Sequence, residues 1–175
     1  MRHRRLSIAN AFLAPTFMLL AVSIALAQGQ AAPTPGQSLS RNFASVNQRV
    51  LEMAQDFPAD KYDFKPTPEV RSFGEVLVHI LSGNVYAAKA GRGEKANWDE
   101  LNPKDYKGKA EIVAALQKSI TDANAALKNT SEERFSKTLR PWIDVLEHNA
   151  EHYGQLVVYY RLNGLVPPAS RPKTK

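Results

Sequence analysis

The chain has 175 residues, 43% of them hydrophobic, with a formal net charge of +6 and no cysteine. That length supports one domain with an adequate apolar core. The missing cysteine excludes disulfides, thiolate ligands, a cysteine nucleophile and a lipidated cysteine, so any bound metal must be held by nitrogen and oxygen.

The N-terminus reads as an export signal. Arg2, Arg4 and Arg5 precede an apolar run from about Ile8 to Leu26, and Ala25-Leu26-Ala27 supplies a small-x-small cleavage pattern. Cleavage is expected after Ala27, leaving a periplasmic or extracellular protein with no stable membrane insertion. The alternative is a retained anchor, because the run is nearly long enough to span a bilayer. Pro15 and the cleavage pattern favour removal. Removal takes away three arginines and no acid, so the formal charge falls from +6 to +3. The remaining basic residues are scattered among acids and form no stripe, which argues against nucleic acid as a partner.

Residues 28–37 form a Pro/Gly/Gln spacer, expected to be disordered, before a domain over 38–169 and a tail over 170–175. Ser38 or Ser40 is placed to cap a first helix. Leu39, Phe43, Val46, Val50, Met53 and Phe57 recur every three or four residues along it, the mark of one buried stripe. Pro58 closes it. Pro66 and Pro68 make 59–71 a connector, anchored by Tyr62 and Phe64. Ser72 and Glu75 form a capping box that starts a second helix, which Gly91-Arg92-Gly93 ends. Residues 94–107 carry no period and read as a long loop. A third helix is expected over about 109–128. The polar stretch 129–140 is a connector, short strand or turn. Pro141 is expected at the first position of a fourth helix, which Asn163-Gly164 stops. Four amphipathic helices without a strand pattern predict an all-α fold, an up-down four-helix bundle.

Outside the signal segment the histidines are His79, His148 and His152. A spacing of four puts His148 and His152 on one helix face, about one turn apart. At about 100° per residue both flank the apolar stripe of the fourth helix, and His79 holds the same offset on the second. Such an edge position suits a packing histidine as well as a ligand, so a bundle without metal is the plain alternative. Three neutral imidazoles would leave a coordination position open, as catalytic zinc sites do. Nitrogen ligands suit zinc, nickel, iron or copper, and added waters admit manganese. Gln155 and Tyr159 share the histidine line, Tyr86 and Gly83 share that of His79, and Gly83 is expected to leave space there. Glu151 is a candidate proton acceptor, whereas Glu147 belongs to the solvated face.

His79 within GEVLVHILSGN, the run His148-NAE-His152-Tyr153-Gly154-Gln155, and the ending YRLNGLVPP resemble the DinB superfamily, including its YfiT-like members. KYDFKPTPEVRSFGE is similar to it too. The resemblance spans about 39–169. It implies a four-helix bundle with a metal-binding triad carried by His79, His148 and His152, frequent homodimerisation, and activities that include thiol-dependent transferases, an isomerase and metal-dependent hydrolases. Tyr153 stands where many members have arginine, which sets aside any role of that arginine toward an anion. The expectation is an exported metal-binding protein acting as a hydrolase or transferase on a small molecule. The alternative is a non-catalytic bundle binding metal or a small ligand.

Overall fold

The computed structural model describes residues 32–172; the expected signal segment lies outside them. Four helices account for most of this region: α1 (Pro35–Asp56), α2 (Phe73–Gly91), α3 (Gly108–Lys128) and α4 (Glu132–Leu162). The described residues contain no strand, and none of their helices is long and apolar enough to cross a membrane.

The caps show how the sequence sets these boundaries. Helix α1 begins inside the expected spacer, because Thr34 with Gln37 makes a capping box and Pro35 fits the first turn, a role assigned above to Ser38 or Ser40. Ser72 and Glu75 cap α2 as anticipated. Gly164, at φ +70°, terminates α4 in the left-handed region that glycine occupies without strain.

The polar stretch 129–140 is mostly helical. Ser131 caps α4, which is broken at Thr138 (φ −116°, ψ 16°) before continuing through Pro141. Proline supplies no N–H to the carbonyl four residues earlier and its ring crowds that carbonyl, so the kink falls one turn upstream of it. The arm before the kink lies against the bundle end: Arg134 donates to the carbonyl of Arg92, and Thr34 donates to Glu132. Pro141 therefore lies in the first turn after the break, two residues beyond the first position expected for it, and the short arm before the break is the addition.

Helices α1 and α2 each pack against both α3 and α4, so α1 faces α2 across the bundle. Contacts fix the directions. Phe43 meets Trp142 and Phe57 meets Tyr160, so α1 and α4 run parallel; Gly74 approaches Ile112 and Asn84 reaches Ser119, so α2 and α3 do as well. The four-helix bundle stands as expected, but its order is up, down, down, up, so the up-down alternation is interrupted between α2 and α3. A parallel α2-to-α3 connection must return along the bundle. The 19 residues of α2 span roughly 28 Å, and the segment 92–107 can stretch to about 50 Å, so it runs back as a strap.

The core has two apolar parts. One gathers Phe57, Phe73, Leu77, Leu116 and Tyr160; the other gathers Phe43, Ala87, Ala123 and Trp142. Between them in sequence on each helix sits a buried polar residue: Asn47, Asn84, Ser119 and Asn149. At the far end Arg171, in the expected tail, clasps both carboxylate oxygens of Asp56, which Tyr160 also reaches.

Candidate metal centre

His79 comes from α2, and His148 and His152 come from successive turns of α4, where the two helices pack antiparallel. Ring centroids are 4.7 Å apart for His79 and His148, 4.8 Å for His79 and His152, and 4.3 Å for His148 and His152. One ligand nitrogen from each lies within 4.8 Å of the others. All three are half-buried, as their edge positions require.

Each ring has its Nδ1 occupied by an oxygen. Glu100 Oε1 is 3.0 Å from Nδ1 of His79, Asn149 Oδ1 is 3.0 Å from Nδ1 of His148, and Gln155 Oε1 is 2.8 Å from Nδ1 of His152. An ionised carboxylate and two amide oxygens only accept, so each Nδ1 carries a proton, and each ring, when neutral, keeps its lone pair on Nε2. Such outer partners orient metal-bound histidines and raise their basicity. Tyr159 completes the chain behind His152: its hydroxyl donates to the carbonyl of Arg71 and accepts from Gln155 Nε2, leaving Gln155 Oε1 for the ring.

The Nε2 atoms of His79 and His148 are 2.9 Å apart. With a lone pair on each, that approach calls for a proton or a metal ion between them. Two nitrogens bound to one ion at about 2.0–2.1 Å are about 2.9–3.4 Å apart for bond angles of about 90–110°. The donor set thus fits a transition-metal ion.

Electrostatics favour lone pairs over protons here. Burial pushes His148 down to about 4, assisted by the charges of His152, His79 and Arg71 and opposed by its bond to Asn149. Burial and Arg71 also lower His79, against the pull of Glu100. Burial pulls the Glu100 carboxyl upward, but His79 and Arg71 outweigh it and hold the group below its ordinary range. Burial raises the Tyr159 phenol, which stays a neutral donor.

Of the residues expected around the triad, Gln155 and Tyr159 stand behind His152. Tyr86 is one ring removed, stacked on Trp98 at 5.2 Å, and Trp98 meets the His148 ring edge-on at 4.7 Å. Glu151 is exposed and, like Glu147, forms no hydrogen bond with the triad among the described residues. The space expected beside Gly83 is filled, since a Cβ there would lie 2.9 Å from Trp98 Cζ2.

Sequence reasoning missed Glu100, Trp98, Arg71 and Asn149. Arg71 Nη2 pairs with Glu100 at 2.9 Å, and Leu101 N–H donates to Ser82, pinning the strap across α2. Trp98 and Glu100 were identifiable as an aromatic and an acid in the long loop. Their link to the triad required the parallel connection, which periodicity does not report.

A bundle whose facing helices present three convergent imidazole nitrogens defines a helical scaffold able to hold a metal ion. Residues 42–159 match the family model of the DinB superfamily, and the chain belongs to that superfamily. No curated protein matches it.

Proposed function

We propose that the protein is an exported metal-dependent enzyme, a hydrolase or transferase for a small molecule, with His79, His148 and His152 as ligands of one divalent transition metal. The observation carrying this reading is that every Nδ1 in the triad is engaged by an oxygen, so three Nε2 lone pairs are left for one ion. When bound, the ion would polarise a substrate oxygen or lower the pKa of water or a thiol. Glu100 holds the proton on Nδ1 of His79, and Gln155 does so for His152. Trp98 covers the His148 side and limits water there. Zinc, nickel, iron and manganese remain the candidate ions. A homodimer formed after signal removal at Ala27 completes the proposal.

Elemental analysis of untagged protein tests the site. About one metal per chain is expected in the wild type and a marked loss in His148→Ala; equal content in both rejects the triad. N-terminal sequencing of the secreted product should begin at Gln28, and light scattering reports the dimer.

A second reading, non-catalytic metal or ligand binding, is favoured by the commitment of Glu100 to both His79 and Arg71. That leaves the contacting acid poorly placed as a base. Metal-dependent turnover of any ester, amide or thiol-transfer substrate in a broad screen selects the enzymatic reading.

A further inference from the structure

The polar layer between the two apolar parts of the core does more than fill space. Asn47, Asn84 and Asn149 are each fully buried, on three different helices, and their amides bond to one another. Two backbone carbonyls, which can only accept, determine how these amides face.

The first is that of Phe43. It lies 3.0 Å from Asn47, so Asn47 must present its Nδ2 there and turn its Oδ1 toward the other two amides. Asn149 sits 3.1 Å from that oxygen and must therefore offer Nδ2. The second anchor is the carbonyl of Leu116, which takes the Ser119 hydroxyl proton at 2.8 Å. Ser119 Oγ then accepts from Asn84 Nδ2 at 3.4 Å, leaving Asn84 Oδ1 to accept from Asn149 Nδ2 at 2.9 Å. Both routes demand the same orientation of Asn149. Its two amide protons are spent, and its Oδ1 points at Nδ1 of His148, 3.0 Å away.

We infer that Asn47, Asn84, Ser119 and Asn149 form a relay that fixes the tautomer of His148, keeping the proton on Nδ1 so that Nε2 is free for a metal. The inference deepens the triad reading and rests on it for the metal arm of the test. None of Asn47, Asn84 and Ser119 bonds to a triad ring; they act as positioning residues through Asn149. The two anchors are redundant. With one removed, the other still orients Asn149. With both removed, the Asn84 and Asn149 amides can turn over together, presenting Asn149 Nδ2 to His148 and moving the ring proton to Nε2, the atom a metal needs.

The test uses metal-free full-length protein, long-range proton–nitrogen NMR of the histidine rings, and zinc affinity by chelator competition. Wild type should show His148 protonated at Nδ1. Asn47→Ala and Ser119→Ala alone should keep that tautomer and change the zinc Kd little. The double variant should show mixed tautomers and a Kd weakened about 10-fold or more, the range seen when partners of metal ligands are lost. A relay predicts this non-additivity; simple packing loss predicts that the two single effects add. Nε2 protonation of His148 in the wild type overturns the inference without any variant. So does a folded double variant with wild-type tautomer and affinity, or additive losses. Should the double variant not fold, Asn149→Ala takes its place, and an unchanged His148 tautomer there overturns the relay. Absence of zinc binding in the wild type rejects the triad as a metal site, while the tautomer spectra still decide the relay.

Discussion

Replacing His148 with glutamine should remove a defined part of the acid sensitivity of the metal-free protein. The fold holds this ring near 4 where the ordinary value is 6.5, chiefly by burial. Its folded pKa is thus depressed below its unfolded one. Between these values the unfolded chain binds more protons than the folded chain, so stability falls as pH falls through that window. The contribution is intact above the unfolded value and lost below the folded one. At about 1.4 kcal/mol per unit the full loss is about 3 kcal/mol, of which about 2 kcal/mol has gone by pH 5. His79 is shifted in the same direction and adds to the wild-type slope. Urea denaturation of chelator-treated protein at pH 7.5 and pH 5 measures the difference. The wild type should lose about 2 kcal/mol more than His148→Gln over that interval. Equal losses in the two proteins would refute the reasoning, because then the buried ring is not being kept neutral by the fold.

Glu100→Ala should weaken zinc binding about 10-fold by freeing Nδ1 of His79, with the melting temperature changed little because the side chain is exposed; competition titration checks it. Gly91→Ala should cost about 2–3 kcal/mol in chemical denaturation. Its Cβ would lie 2.1 Å from Trp142 Cζ2, and the ring has no room to retreat inside the core. Tyr160→Phe should cost about 1–2 kcal/mol, since the buried hydroxyl reaches the Met53 carbonyl at 2.8 Å and Asp56 at 3.1 Å; the same denaturation assay reports it.

The triad and the four helices were legible because both depend on helical spacing. Phe43, Val46, Val50, Met53 and Phe57 predict the buried face of α1, and the same angular argument puts the histidines at the edge of theirs. Asn47 is where that reading stops. An asparagine among polar neighbours looks like surface, and only its partners on α2 and α4 explain its burial. The arm before the kink was hidden for a different reason. Residues 132–140 lie across the bundle end, where one turn of contact suffices and no long stripe is written into the sequence. Glu100 was invisible because its proximity to His79 is set by the path of a loop without a period.

That path has a dynamic consequence. The strap over 92–107 runs along the bundle surface and is fastened to α2 by the Leu101–Ser82 hydrogen bond, the Glu100–His79 contact and the Trp98–Tyr86 stack, and to the residues just before α2 by the Arg71–Glu100 pair. Trp98, Leu101 and Tyr106 pack against the core edge, but no residue of the strap is fully buried, so lifting it costs less than unfolding the helices beneath it. Release of the strap would strip Glu100 from His79 and Trp98 from His148 in a single event, while the relay through Asn149 stays closed in the interior. Entry and exit of an ion would then follow the local opening of one loop, and the rate of metal exchange would report the stability of that loop more than that of the protein.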